Sequence, residues 1–265
     1  MSNTEKIYKT QGIILRHYPL GETDYILSLF TPNRGKVRAI VKGARKLKSR
    51  IGGHVEPVML TSFLLTKGHN LDLINQAECI DSFRIIREDL TKLSKALYIL
   101  DLVDAITNES QSNNDIYLLL LDTLKDLAND RNDNLIPYFQ IKLLGSSGFM
   151  PELYQCVNCG KEIVMNAHRF CPDRGGVICD SCNPFNVRIS TLSLTSLKVL
   201  RFFQRSDYNQ VSALNIDGDT NKELQDLLYA LLFSTIGKEL KSYRFINDVA
   251  AETVNSLNGV YMERL

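Results

Sequence analysis

Four cysteines fall into two closely spaced pairs, Cys156 with Cys159 and Cys179 with Cys182. Two residues between the sulfurs allow a tight turn in which both thiolates face the same ion. Two such pairs supply four thiolates and leave no open coordination position, which is typical of a structural zinc rather than a catalytic one. The sequence therefore predicts one structural zinc ion bound by these four cysteines.

Two further residues leave the ligand set open. Cys171 lies between the pairs, so five thiols compete for four positions, and His168 offers an imidazole as a substitute. An exposed polar side chain is the simpler interpretation of His168, which stands beside Arg169. A chain that binds no metal is the remaining alternative. Cys79, within a predicted strand, is interpreted as a small core residue.

The second candidate site is a run of positive charge in a chain whose formal net charge is only +1. No Asp or Glu occurs between Asp24 and Glu56. The cations in this interval, which we predict to bind DNA or another polyanion, are Arg34, Lys36, Arg38, Lys42, Arg45, Lys46, Lys48 and Arg50. Charge of one sign concentrated in one stretch indicates a polyanionic partner, and a merely solvated basic face is the alternative.

Five short runs rich in β-branched and aromatic residues occupy positions 8–83, with Gly, Pro or Asn between them. This pattern predicts five strands and a small closed barrel. Val37, Ala39 and Val41 alternate with Lys36 and Arg38, so one face of the third strand is predicted to be basic and the other to enter a core. A basic groove on such a barrel is the layout by which oligonucleotide-binding (OB) folds follow a phosphate backbone.

The residues around this strand support the same interpretation. Residues 43–53 are predicted to form a flexible basic loop, because glycines stand at both of its ends. The aromatic residues near enough to stack on bases are Tyr8, Tyr18, Tyr25 and Phe30. Each of them is also a candidate core residue, because small barrels need large inward side chains.

After Phe83 the hydrophobic period becomes helical. We predict a helix capped by Ser112 or Asn114, another ending at Gly145, and a continuous one over 222–246 that is followed by a polar tail. The fold class is α+β and multidomain, an OB-fold β-barrel followed by a helical domain that carries a zinc-ribbon-like insertion. The predicted ranges are 1–82 for the barrel, 83–151 with 186–265 for the helical domain, and 152–185 for the zinc module.

Several enzyme classes find little support. There is no phosphate-binding G-x-x-x-x-G-K-[ST] loop, and His54-x-Glu56 lacks the P-C-x-x-C partner of zinc deaminases. Glu22 and Asp24 can share a strand face as Mg²⁺ ligands, but further acidic ligands are missing. A non-enzymatic single-strand-binding protein is favoured, and a zinc-ribbon nuclease or modifying enzyme that holds its substrate on the basic patch is the alternative. No segment has the apolar length of a membrane span or signal peptide, so a cytoplasmic protein without membrane contact is expected.

An ordered series of short motifs identifies a resemblance. It runs through Gly21-Glu22-Thr23-Asp24, Leu29-Phe30-Thr31, Gly35-Lys36, Val41-Lys42-Gly43-Ala44-Arg45, Ser49-Arg50, Glu56-Pro57, Leu143-Leu144-Gly145, Gly148-Phe149, Pro151-Glu152-Leu153 and Cys156-x2-Cys159-Gly160. Over nearly its full length the chain resembles the RecO family of bacterial DNA repair proteins. It departs from the family pattern at Cys171 and at Ile51, where an aromatic residue is frequent.

The resemblance implies an N-terminal OB barrel, a helical domain and a zinc module set within that domain. It also implies a recombination mediator without catalytic turnover, which binds single- and double-stranded DNA, anneals complementary strands, and works with RecR to load RecA. The acidic C-terminal tail of single-strand-binding protein (SSB) is expected to dock on the helical domain. The cations eligible by sign and position are Lys142, Lys198, Arg201 and Arg244.

Overall fold

The N-terminal part of the chain forms a closed five-stranded barrel. The computed structural model describes residues 6–129, 132–164, 166 and 168–262, with side chains to residue 252. The strands are β1 (Ile7–Leu20), β2 (Asp24–Thr31), β3 (Gly35–Val41), β4 (Leu60–Thr66) and β5 (Asp72–Asp81). They pair in the order β1-β2-β3-β5-β4, β4 pairs back onto β1, and only β3 and β5 run parallel. The predicted OB-fold barrel is confirmed.

The first strand is long enough to serve two neighbours. Its first half, from Ile7 to Ile13, pairs with β4, and its second half, to Leu20, pairs with β2. The register with β2 shifts between Ile14 and Arg16. Because an extra residue bends a strand and increases its twist, this shift helps β1 to curve from one side of the barrel to the other.

Inward-facing residues fill the barrel, and the alternation predicted for β3 is confirmed, since Val37, Ala39 and Val41 are buried. The core also contains Tyr8, Ile14, Leu27, Leu29, Phe63, Leu65 and Ile74. Ser28 and Phe30, on the opposite face of β2, are buried as well, because helices contact this side of the barrel. The outer surface of β2 from Ser28 to Thr31 is therefore covered.

The helices and the cysteine segment follow the barrel. The helices are α1 (Arg84–Arg87), α2 (Leu90–Ile106), α3 (Asn114–Asn129), α4 (Leu135–Ser146), α5 (Leu194–Arg205), α6 (Tyr208–Ser212), α7 (Gly218–Ile236) and α8 (Lys241–Met262). The cysteine segment contains a three-stranded sheet of β6 (His168–Cys171), β7 (Gly176–Ile178) and β8 (Ser190–Leu192), with β6 in the centre. Within the described residues, no helix has the length and hydropathy needed to cross a membrane.

Contacts divide the chain into two compact units, with boundaries after residues 130 and 239. The first unit contains the barrel, α1 to α3 and α8, and the second contains α4 to α7 and the cysteine segment. The domain ranges expected from sequence were drawn where the sequence pattern changes and not from contacts, and they stay a prediction. They are 1–82, 83–151 with 186–265, and 152–185.

Two details of the helix prediction were wrong. The run over 222–246 is broken, because Gly237 adopts φ +75° and its N–H bonds the carbonyl of Phe233, which ends α7. Beyond this break a second helix, α8, begins at Lys241 and continues through the segment expected as a polar tail. The cap of α3 is Asn113, whose side chain accepts from the N–H of Ile116 at 3.0 Å, one residue away from both predicted caps.

Candidate nucleic-acid interface and metal centre

Residues 42–50, which overlap the predicted loop 43–53 and are called the basic loop from here on, are anchored to the turn between β1 and β2. The N–H of Gly43 donates to Asp24 Oδ1 at 2.8 Å, and the N–H of Arg45 donates to the carbonyl of Thr23 at 2.9 Å. The Arg45 guanidinium also donates to the carbonyl of Gly21 at 2.9 Å. The loop is thus held at its first turn by three hydrogen bonds, and two motifs far apart in sequence form one structural unit.

The Asp24 carboxylate is used for this anchoring. The Gly43 N–H and the Thr23 hydroxyl hold the pKa of Asp24 below its usual value, and Lys42 and Lys46 lower it further. Gly43 adopts φ +67°, a conformation that glycine tolerates without strain. The structure thus gives Asp24 a structural partner, in agreement with the preference for a structural over a metal-binding role.

The outer part of the basic loop presents its cations to solvent. The exposed ones are Lys42, Arg45, Lys46, Lys48 and Arg50. Local turns shape this part, since the N–H of Lys46 donates to the carbonyl of Gly43 at 3.2 Å and that of Ser49 to Lys46 at 2.8 Å. These backbone hydrogen bonds shape the loop and tie it to its anchor, and its flexibility stays a prediction.

The cations of β3 have partners within the protein. Lys36 Nζ donates to the carbonyl of Asp104 at 2.6 Å and lies 3.7 Å from its carboxylate, and the Lys36 side chain is only 12% exposed. Arg38 lies 3.7 Å from the Glu109 carboxylate. The end of α2 and the segment after it contact this strand, and the Ser110 N–H donates to the Lys36 carbonyl. A DNA-binding role for Lys36 and Arg38 stays a prediction, and each has a structural partner.

The candidate stacking residues have different environments. Phe30 is buried in the fold, and Tyr25 stacks on His17 with ring centroids 4.4 Å apart. Tyr18 is exposed, and Tyr8 is buried beneath the guanidinium of Arg34, whose carbon lies 3.9 Å from the ring centroid. The core interpretation is therefore correct for Phe30 and Tyr8, and Tyr8 also supports the exposed cation of Arg34 from below.

The two cysteine pairs come together in the second unit. The sulfurs of Cys156, Cys159, Cys179 and Cys182 all lie within 4.8 Å of one another, and those of Cys159 and Cys179 are 3.7 Å apart. Tetrahedral zinc with Zn–S bonds of about 2.3 Å requires sulfurs about 3.8 Å apart. The donor set and its spacing are thus compatible with a structural zinc ion, which these four thiolates would hold as a cross-link between the two turns.

Backbone groups organise the cysteine cluster. The Gly160 N–H donates to the Cys156 carbonyl at 2.8 Å, with Gly160 at φ +73°, and the Cys182 N–H donates to the Cys179 carbonyl at 3.1 Å. The Cys179 N–H points at Cys156 Sγ at 3.4 Å and connects the two turns. Each Cys-x2-Cys pair is therefore a tight turn, as its spacing predicted.

The thiols differ in their acidity. Burial raises the pKa of Cys156, but the backbone N–H groups of Cys179, Asn158 and Cys159 outweigh it and lower the pKa to about 6. The Lys161 N–H lowers the pKa of Cys159. Burial and the neighbouring thiols outweigh this effect and raise the pKa to about 11; these thiols are Cys182, Cys156 and Cys179. Adjacent thiols that oppose one another's ionisation form a site where a bound cation relieves the repulsion.

The two alternative ligands lie outside the cluster. Cys171 is a fully buried residue of β6, and His168 is buried with its Nε2 donating to the carbonyl of Val164 at 2.7 Å. The interpretation of His168 as an exposed residue was wrong, because β6 is the central strand of its sheet. Single residues in a short strand give no periodic signal from which this burial can be predicted.

The cysteine segment is held together by two arginines, and nothing in the sequence indicated this structural role. Arg169 donates to the carbonyls of Cys179, Asp180 and Cys182, and so fixes the second turn. Arg201 on α5 donates to the carbonyls of Leu153 (2.7 Å) and Ile163 (3.4 Å). A single arginine in a chain rich in cations gives no sign of such a role.

The four cations predicted as candidates for binding an acidic protein tail differ in their environments. Arg201 is occupied as above, and Lys142 donates to the carbonyl of Gln204 at 2.9 Å. Burial lowers the pKa of Lys142, and the charge of Asp207 opposes that effect. Lys198 and Arg244 are exposed.

The barrel, the anchored basic loop and the four-cysteine cluster define an OB-fold protein with an appended cysteine module. Residues 1–83 match the family described as Recombination protein O N terminal, and residues 87–244 match Recombination protein O C terminal. The chain belongs to this family, RecO, and its membership supports a role in DNA repair and recombination.

Individual relatives cover most of the chain. A protein named DNA repair protein RecO from Roseiflexus sp. (strain RS-1) is 33% identical over 92% of this chain and 87% of its own length. Proteins of the same name from Dehalococcoides mccartyi (strain CBDB1) and Thermoanaerobacter sp. (strain X514) are 34% and 32% identical. Their matches span 91% and 92% of this chain and 96% and 98% of the relatives.

Proposed function

We propose that this chain is a non-enzymatic recombination mediator that acts on DNA in the bacterial cytoplasm. It binds single- and double-stranded DNA without sequence specificity, anneals complementary strands and, together with RecR, helps to load RecA onto single strands coated with SSB. The observation that carries the DNA-binding part is the basic loop, which presents five exposed cations on an anchored turn of an OB barrel. Family membership supports the recombination role.

The chemistry of exposed lysines and arginines suits this role. Contacts to phosphates carry no sequence information, and they release counterions, so that binding is strong at low salt and reversible. Annealing additionally requires two like-charged strands to lie near each other, and a dense group of cations screens their repulsion. None of these steps requires nucleotide hydrolysis.

The second unit has supporting roles in this proposal. Cys156, Cys159, Cys179 and Cys182 hold one structural zinc ion that stabilises the cysteine segment. The acidic C-terminal tail of SSB docks on the helices, where exposed cations such as Lys198 attract it. The chain does not bind RecA directly in this proposal, and it acts on RecA only through the single strand onto which RecA is loaded.

The test is a salt-dependent titration of single-stranded and duplex DNA with a variant that carries Lys42→Ala, Arg45→Ala and Lys46→Ala. We expect affinity to fall at least tenfold at low salt, because three phosphate contacts are lost. The slope of log affinity against log salt should flatten by up to about 2, since each single-strand contact contributes about 0.7. The measurement is fluorescence anisotropy with labelled oligonucleotides at several salt concentrations.

The matched control changes Lys125, Lys198 and Lys238, three exposed lysines outside the loop, to Ala. It removes the same net charge and should leave most of the affinity and the salt slope unchanged. Equal losses in the two variants would show that binding follows net charge rather than the loop. Unchanged affinity in the loop variant would refute the assignment of the DNA site.

A further inference from the structure

A polar cavity of about 360 Å³ opens in the first unit, away from the basic loop. It lies where the β2–β3 turn, the β4–β5 loop and residues 109–112 approach the start of β1. This is the Gly35 end of β3, whereas the basic loop follows its Val41 end, about 20 Å along the strand. The cavity is therefore a separate feature of the same barrel, and its size is that of a small-ligand site.

A fixed aromatic ring forms one wall of the cavity. The Tyr8 hydroxyl donates to Asp72 Oδ2, and Asp72 Oδ1 accepts from the Gly68 N–H at 2.9 Å. Burial and then Asp72 raise the pKa of Tyr8 well above its ordinary value, so the hydroxyl remains a donor. The ring is thus fixed by its packing in the core and by the hydrogen bond of its hydroxyl before any ligand arrives.

The guanidinium of Arg34 lies over this ring. Its central carbon is 3.9 Å from the ring centroid, within the range of a cation–π contact, and Arg34 is exposed and lines the cavity. The contact covers one side of the guanidinium and supports it as a planar platform. A fixed, planar, cationic group is a surface on which nucleobases stack.

The charges of the cavity favour an anionic ligand near Arg34 and Lys67. Lys36 and Arg38 also line it, and each lies 3.7 Å from a carboxylate, that of Asp104 and that of Glu109. The Asp72 carboxylate, which lines the cavity as well, accepts from the Tyr8 hydroxyl and the Gly68 N–H. Lys67 in the β4–β5 loop is exposed. Asn33 and Ser112 add groups that can bond the edge of a base. A ligand with a planar ring, hydrogen-bonding groups at the ring edge and a negative charge would match these groups, and a nucleotide has all three.

We propose that this cavity takes one unstacked nucleotide of a DNA single strand, with its base on the Arg34 platform and its phosphate beside Lys67. The proposal rests on the proposed function, and it adds a reason for discrimination between strands. A base in a duplex is already paired and stacked, so it reaches the cavity only after that stacking is broken. The basic loop then supplies affinity for any DNA, and the cavity supplies preference for single strands.

The experiment compares Arg34→Lys with the wild-type protein on two single strands of equal length, an oligothymidylate and an oligonucleotide made entirely of abasic sites. Lysine keeps the charge but has no planar group to stack. We expect the wild type to bind oligothymidylate at least fivefold more tightly than the abasic strand. Arg34→Lys should lose most of this preference, while its affinity for the abasic strand and its salt slope remain those of the wild type.

The matched control is Arg87→Lys, the same substitution at an exposed residue of α1 outside the basic loop and the cavity, which should keep the preference of the wild type. Thermal unfolding of all variants verifies folding. An equal preference in Arg34→Lys and wild type, or no preference in the wild type, overturns the cavity proposal and leaves the DNA-binding function intact. Failure of the wild type to bind either strand overturns both.

Discussion

The carboxylate of Asp24 accepts a hydrogen bond of 2.8 Å from the backbone N–H of Gly43. This contact links the turn after β1 to the start of the basic loop, 19 positions later. It explains why an acidic residue stands at the edge of a strongly cationic surface. The carboxylate bonds an N–H that a turn would otherwise leave to solvent, and it ties the start of the basic loop to the turn after β1.

The first prediction concerns this contact. Asp24→Ala should weaken single-strand binding about threefold to fivefold, although it raises the net charge, because the loop loses its anchor and must be ordered on binding. Glu22→Ala is the matched control, since it removes the same charge from an exposed residue of the same turn. The control should bind as tightly as the wild type or slightly more tightly. Stronger binding by Asp24→Ala in an anisotropy titration would contradict the anchoring role.

The second prediction separates two lysines that are equal in charge. Lys36→Ala should lower the free energy of unfolding by about 1–2 kcal/mol, because its ammonium bonds Asp104 in a largely buried position. It should change the salt slope of DNA binding little. Lys46→Ala should reduce the salt slope of DNA binding and leave the free energy of unfolding almost unchanged, since Lys46 is exposed. Denaturant unfolding and salt-dependent DNA titration of both variants test this prediction. A reduced salt slope for Lys36→Ala would show that Lys36 contacts DNA.

The third prediction concerns the metal. Protein purified without chelator should contain one zinc ion per chain, and its removal should lower the unfolding midpoint by about 5 °C or more. Cys159→Ser should lose the zinc, because three thiolates leave the shell incomplete. Cys171→Ala should keep it, since Cys171 is a buried residue outside the cluster. Metal analysis and thermal unfolding make the comparison, and zinc-free Cys171→Ala would contradict the ligand set.

The fourth prediction is a pH dependence at the start of α5. Glu223 accepts from the Ser193 N–H at 2.7 Å and from the hydroxyls of Ser193 and Ser196 at 2.6 Å. Burial raises the pKa of Glu223, but these bonds outweigh it and the net shift is downward. A carboxyl with a lowered pKa in the folded state stabilises above its unfolded-state pKa, about 4.3, and loses this contribution as the pH falls through the folded value.

Glu223→Gln should therefore lower the unfolding midpoint at pH 7, and the difference from wild type should shrink below about pH 4. Asp226→Asn, an exposed residue on the same helix, should have little effect at either pH. Thermal unfolding at a series of pH values measures both. If the unfolding midpoint of Glu223→Gln stays equally far below that of the wild type at pH 3, the loss of stability comes from altered packing or hydrogen bonding rather than from the lost charge.

Sequence patterns predicted the parts of this protein that depend on local spacing. The alternation of Val37, Ala39 and Val41 places the core face of β3, and the Cys-x2-Cys spacing places two turns that meet in one cluster. Both follow from geometry that repeats over two or three residues. The break at Gly237 was missed because apolar periodicity continues on both sides of it, and only the backbone conformation ends the helix.

What the sequence by itself determined is the family, the barrel, the cationic stretch and the four candidate metal ligands, because each is encoded in residue type and near spacing. The tertiary structure alone decided which cations have an acidic partner within the protein. Lys36 and Arg38 lie in the same cationic stretch as Lys46 and Arg50, yet Asp104 and Glu109, some 70 positions away, pair with them. Charge is a property of the residue, whereas availability depends on which segment the fold brings beside it.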